Sequence, residues 1–82
     1  MNTSGRVTVV GRVVRIRRNG ADWRVRLTET GGTLAAAEIR RSSRLALPRI
    51  GARILIHGWL CYDEQHGWHT VDPVEHWRDA PE

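Results

Sequence analysis

The chain has no lysine: all 13 of its basic side chains are arginine. It has a single cysteine, Cys61, so no intrachain disulfide can form and a reducing compartment such as the cytoplasm is permitted. Cys61 stands in an apolar segment without a fixed base beside it and reads as a packing residue rather than a catalytic thiol. No apolar run approaches the roughly 18–20 residues that a membrane-crossing helix needs, so no membrane association is expected. Residues 1–5 lead straight into a strand-like stretch, with no charged segment and apolar stretch before it, so no secretory signal is expected. There is no glycine loop of the kind that cradles phosphates and no nameable set of nucleophile, base and orienting group. Asp63-Glu64 is a carboxylate pair of a type common in loops. No enzymatic activity and no cofactor are therefore expected.

What is present is arginine, unevenly placed. Residues 1–62 carry 12 Arg against Asp22, Glu29 and Glu38, a local charge of +9, whereas residues 63–82 carry Arg78 against six carboxylates, a charge of −5. Many of the arginines alternate with apolar residues, as in Val14-Arg15-Ile16-Arg17 and Trp23-Arg24-Val25-Arg26-Leu27. Successive side chains of a strand point to opposite faces. Such strands bury Val, Ile and Leu and hold guanidinium groups out on the other side. That face suits a polyanion, and its bland alternative is a solvated charged surface. At 82 residues, 40% of them hydrophobic, the chain makes one domain with a modest core, here 1–82 with residues 1–5 and 79–82 expected to be flexible.

Five strands are predicted, separated by turn signals. The first covers about residues 6–18. Val7 and Val9 share one parity, Val14 and Ile16 the other, and Gly11 between them reads as a bulge or bend. Asn19-Gly20 signals a hairpin. The second strand is about residues 22–28, with Trp23, Val25 and Leu27 on its buried face and Arg24 and Arg26 on its solvent face. A turn at Glu29-Thr30-Gly31-Gly32 leads to the third strand, about residues 33–39, whose three alanines would also suit a helix but whose shortness and Gly-Gly opening favour a strand. Residues 40–50 break the pattern. Ser42-Ser43 can cap a short helical turn that Pro48 ends. The fourth strand, about residues 52–62, bends at Gly58. The fifth covers about residues 68–74 with Pro73 at an edge or end. Residues 75–78 read as a helical turn.

Three strands, an interruption and two more, with a long first strand bent at glycine, fit an all-β fold: a five-stranded Greek-key barrel with a short helical or irregular segment between strands 3 and 4. Val9-Val10-Gly11-Arg12-Val13-Val14, Trp23-Arg24-Val25-Arg26-Leu27 and Gly51-Ala52-Arg53-Ile54-Leu55-Ile56-His57-Gly58 together resemble OB-fold (oligonucleotide/oligosaccharide-binding) nucleic-acid-binding domains. The run from Asp63 to Val74 is similar to a D-x-x-H-G-W-x-E-I-H-P-V segment of small bacterial OB-like domains. Asp63, His66, Gly67, Trp68, Pro73 and Val74 match it, while Thr70 replaces a Glu and Asp72 a His.

The OB resemblance implies a ligand crossing strands 2 and 3, flanked by the loops between strands 1 and 2 and strands 4 and 5. Arginines would track phosphates and aromatic rings would stack on bases. On this chain the candidates are Arg15, Arg17 and Arg18 before the first turn and Arg24 and Arg26 on the second strand. Arg40, Arg41 and Arg44 follow in the crossing segment, with Trp59, Tyr62, His66 and Trp68 towards the last loop. Trp23 shares the core parity, Trp59 is open between core and surface, Trp68 is the foremost stacking candidate, and Trp77 is expected to cover one end of the barrel. His57, His66, His69, His76, Asp63 and Cys61 lack the paired cysteines of a structural zinc site, and no metal is expected. The expected partner is single-stranded DNA or RNA. The alternatives are a protein-interaction or self-assembling OB module whose acidic segment 63–82 docks a basic face, and a sugar or small-ligand site in the barrel mouth.

Overall fold

A computed structural model describes residues 3–29, 31–65 and 67–82, with the side chains of Thr3, Ser4, Asp63 and Trp68 set aside. It contains β1 (Thr3–Asn19), β2 (Asp22–Glu29), β3 (Leu34–Ile39), a 3-10 turn (Arg41–Ser43), β4 (Arg53–Asp63) and β5 (Trp68–Asp79). The strands close a barrel in the order β1-β2-β3-β5-β4. All neighbours are antiparallel except β3 and β5, which pair in parallel at Ala36–Thr70 and Ala37–Val71. The result is an all-β, five-stranded closed barrel with a short irregular segment between strands 3 and 4, consistent with an OB-like fold. Among the described residues no helix is long and apolar enough to cross a membrane.

β1 closes the barrel because it serves two partners: residues from Thr3 to Arg12 pair with β4 and residues from Gly11 to Asn19 with β2. Gly11 sits at the handover, opposite both Glu29 and Ile54. A Cβ there would lie 3.0 Å from the Thr28 carbonyl oxygen and 3.2 Å from Leu27 Cβ, so a larger residue would have to push the neighbouring strand aside by a few tenths of an ångström. The parity change, however, is at Val14 and not at Gly11. Val13 opposes Leu27 and Arg15 opposes Arg26, leaving Val14 as the extra residue of a bulge. Val13 is fully buried and Val14 is 45% exposed, the reverse of the parity expected of Val14.

The inward faces build the core: Val13, Val25, Leu27, Ala37, Ile39, Ile54, Ile56, Val71 and Val74, with Val7, Val9, Ile16, Trp23 and Trp77 packed around it. Trp77 lies opposite Ile56 and donates its indole N–H to the Ala46 carbonyl oxygen at 2.7 Å, pinning the connector between β3 and β4 across the end of the core.

Two local expectations need correction. Residues 75–78 are strand, not a helical turn: His76, Trp77 and Arg78 pair with His57, Ile56 and Leu55. β4 is long, and its first half, paired with β1 on one side, would lack a partner on the other if β5 stopped at Val74, so strand pairing overrides the local preference. The first turn is Gly20-Ala21, one residue later than Asn19-Gly20, with Asn19 and Asp22 as the closing pair. Only Gly20 has positive φ (65°), the pattern of a type II′ turn. At the chain end, Ala80 N–H donates to the Arg53 carbonyl oxygen at 2.9 Å, Arg53 reaches the Pro81 carbonyl, and Glu82 pairs with Arg12.

Candidate functional site

The Val14 bulge decides where the arginines point. Before it, odd positions such as Val7, Val9 and Val13 face inward. After it, Ile16 does, which turns Arg15 and Arg17 outward on the same face as Arg24 and Arg26 of β2. In register, Arg15 opposes Arg26 and Arg17 opposes Arg24. The four line one depression of about 180 Å³. Like charges directly opposed across a sheet work against folding, each pair by a few tenths to about 1 kcal/mol. Arg15 and Arg17 have no carboxylate within ion-pair distance among the described residues.

Arg24 belongs to a second concavity as well. It is partly buried, not fully solvent-facing as expected, because it opposes Glu38 of β3 and its Nη2 lies 3.3 Å from Glu38 Oε1. Glu38 is only 6% exposed. Asn19, freed by the turn to close the hairpin, donates from Nδ2 to the same Oε1. Among the described residues, Glu38 Oε2 and Arg24 Nε are both buried without a hydrogen-bond partner. A buried polar atom left unmet costs about 1–3 kcal/mol. Burial pushes the Glu38 carboxyl above the usual carboxylate range, opposed by the Asn19 hydrogen bond and the Arg24 charge.

Arg24 and Glu38 form one wall of a pocket of about 210 Å³, completed by Cys61, Tyr62, Glu64, Thr70 and Asp72. It sits on the outside of the barrel where β3 meets β5, because Glu38, Ala36, Thr70 and Cys61 all lie on the strand parity opposite to the core. Cys61 is buried there as a packing residue. Tyr62 meets His69 edge-on at 5.2 Å between ring centroids. Thr70 and Asp72, which stand where the resembled C-terminal run has Glu and His, both line this pocket. Among the described residues no cluster of His, Cys, Asp and Glu is arranged to hold a metal.

The remaining candidates are scattered. Arg18 stacks on Trp23, 5.0 Å from its ring centroid, at the hairpin end. Arg40 is paired with Asp72, Nη2 to Oδ1 at 3.0 Å, on the rim of the pocket. Arg41 and Arg44 are exposed on the 3-10 turn, which is tethered to the hairpin by the Arg41 N–H donating to Asp22 Oδ1 at 3.0 Å. Trp59 lies elsewhere, on the outer face of β4 under Arg6, whose guanidinium is 5.0 Å from its ring centroid. His66 and the Trp68 side chain lie outside the described residues. Glu38 was not singled out in the sequence, and Thr70 and Asp72 were named only as departures from the resembled C-terminal run. The available signal was Glu38 itself, a lone carboxylate in the apolar run Ala35-Ala36-Ala37-Glu38-Ile39 on the face opposite to Ala37 and Ile39.

The other Arg-bearing face is neutralised. Arg6 Nε lies 3.1 Å from Glu75 Oε1, and Arg12 pairs with Glu82, which holds the Glu82 carboxyl below the usual carboxylate range. Between them Thr8 Oγ1 and His57 Nδ1 are 2.8 Å apart, and His57 stacks on His76. No protein-family model and no curated protein matches this chain.

Proposed function

We propose that this protein is a binding module of OB type for single-stranded DNA or RNA, with the phosphates tracked along the β1–β2 outer face. The supporting observation is the convergence of Arg15, Arg17, Arg24 and Arg26 on one depression, with Arg15 and Arg17 lacking a carboxylate partner among the described residues. A phosphate backbone offsets the repulsion that this arrangement builds into the sheet. Such a track is blind to sequence and reads charge alone. The cytoplasm is a compartment in keeping with this reading. In the rival reading the acidic segment 63–82 docks a neighbour's basic face. Three of its six carboxylates are already engaged within the chain, since Asp72, Glu75 and Glu82 pair with Arg40, Arg6 and Arg12.

The test is fluorescence anisotropy of labelled oligo-dT and oligo-U at several salt concentrations. Four phosphate contacts predict a slope of log affinity against log salt near −3. Binding to neither strand at low salt would remove the nucleic-acid reading and leave the arginines as a solvated face.

A further inference from the structure

We infer that the arginine depression on β1–β2 takes a run of directly linked phosphates, as in the 5′-triphosphate end of a strand or in inorganic triphosphate, in preference to the single phosphates inside a strand. This inference rests on the nucleic-acid reading above and names the part of the ligand that the depression holds. The arrangement is compact rather than linear. Arg15 opposes Arg26 and Arg17 opposes Arg24. Directly opposed residues of an antiparallel pair stand roughly 5 Å apart, and alternate residues of one strand about 7 Å apart. The four side chains are therefore rooted at the corners of one small rectangle.

Among the described residues these four arginines alone line the depression, whose volume is about 180 Å³. That is below the roughly 300–1,000 Å³ of drug-sized sites and suits a compact charged group. Arg24 and Arg26 are half-buried and Arg15 and Arg17 exposed, so the depression has a sheltered side and an open one. A concavity lined by one sign of charge focuses its field, and charges on its sheltered side are screened less by salt. Arg15 and Arg17 have no carboxylate within ion-pair distance among the described residues, whereas Arg24 is shared with Glu38. The interior of a strand supplies one negative charge per nucleotide, with a sugar between successive phosphates. A 5′-triphosphate joins three phosphates through shared oxygens, and its terminal group, like other phosphate monoesters, carries about −1.5 to −2 at neutral pH. It is the most concentrated negative charge on such a strand. Each guanidinium fork can grip two phosphate oxygens, so linked phosphates engage several of the clustered arginines at once.

The experiment uses the full chain and oligo-U labelled at its 3′ end, carrying a 5′-hydroxyl, a 5′-monophosphate or a 5′-triphosphate. At one ionic strength the affinity is expected to rise in that order, with the triphosphate at least about tenfold tighter than the hydroxyl, the increment of one further charge-assisted contact. Arg15→Ala with Arg17→Ala is expected to remove most of that advantage, and Arg6→Ala with Arg12→Ala on the other face to preserve it. Titration calorimetry with inorganic triphosphate, against inorganic phosphate at equal ionic strength, separates the linked phosphates from the strand that carries them. Inorganic triphosphate is expected to bind the wild type more tightly than inorganic phosphate does, and to lose that binding in the Arg15→Ala, Arg17→Ala variant. Equal affinity for the three 5′ ends overturns the inference and leaves the phosphate track standing. A triphosphate advantage that survives the loss of Arg15 and Arg17 overturns it as well, by placing the group elsewhere. Binding of inorganic triphosphate with no oligo bound at low salt keeps the linked-phosphate site and overturns the nucleic-acid reading; binding of neither overturns both.

Discussion

The two Arg-bearing faces of the barrel are made by the same strand and treat charge in opposite ways. On the first half of β1, Arg6 and Arg12 each find a carboxylate from the C-terminal segment, Glu75 and Glu82. On the second half, Arg15 and Arg17 face Arg26 and Arg24 across the ladder, and Glu38, which pairs with Arg24, sits at the edge of the cluster and is buried. A chain selected for solubility alone would spread its charges evenly. This one pairs Arg6 and Arg12 with carboxylates on one face and sets Arg15 and Arg17 against Arg26 and Arg24 on the other, at a cost in like-charge repulsion that the proposed ligand would offset.

The comparison can be broken most severely through the fold. A Cβ at Gly58 would lie 2.4 Å from Val71 Cγ1 and 2.5 Å from the Pro73 carbonyl oxygen, under the neutralised face where β4 meets β5. Gly58→Ala is expected to cost about 3 kcal/mol, a fall of roughly 10–20 °C in melting temperature by calorimetry. Next comes the charge contrast itself. Arg15→Ala with Arg17→Ala removes two exposed guanidinium groups from the track. Affinity for oligo-dT is expected to drop on the order of ten- to a hundredfold at low salt and the salt slope to fall to about −1.5, with the thermal melt unchanged or slightly raised. Arg6→Ala with Arg12→Ala on the other face should change affinity less than about twofold; equal losses from the two pairs would erase the distinction between the faces.

Arg24 sharpens the boundary between them. Because it partners a buried carboxylate, Arg24→Ala is expected to cost about 1–3 kcal/mol in denaturant unfolding as well as affinity, unlike Arg15→Ala. Glu38 titrates above the ordinary carboxylate range, so the folded state holds its proton to higher pH than the unfolded state. Its contribution to stability is therefore most favourable below the ordinary carboxylate range, is lost as pH rises to the elevated value, and stays lost above it. Unfolding of the wild type and Glu38→Gln across pH should show the variant gaining relative stability over that window; a flat difference would deny that burial dominates at Glu38. The smallest effect belongs to the exposed Arg12–Glu82 pair, where Glu82→Gln should leave the melting temperature unchanged within error at moderate salt.

Much of the barrel was legible in the chain because strand periodicity is a local property. Val25 and Leu27 alternate with Arg24 and Arg26, Gly31-Gly32 and Gly51 mark turns, and Gly11 marks the bend, so strand number and the interruption before β4 follow from the residues alone. The placement of the parity change did not, because both Val13 and Val14 are apolar and nothing local says which is the extra one. The last third of β5 was hidden for a different reason: Glu75-His76-Trp77-Arg78 has no alternation of its own and becomes strand by pairing with β4.

The candidate site divides along the same line. The arginines and their alternation are written in the sequence, and so is the front-to-back charge asymmetry, since both depend only on residue order. Which arginines are cancelled and which converge depends on register. Residues 69 and 70 positions from Arg6 and Arg12 neutralise them, while one bulged valine brings Arg15 and Arg17 beside Arg24 and Arg26. The pocket is wholly tertiary: Arg24, Glu38, Tyr62 and Asp72 come from four strands and meet only because the parallel pairing of β3 with β5 closes the barrel.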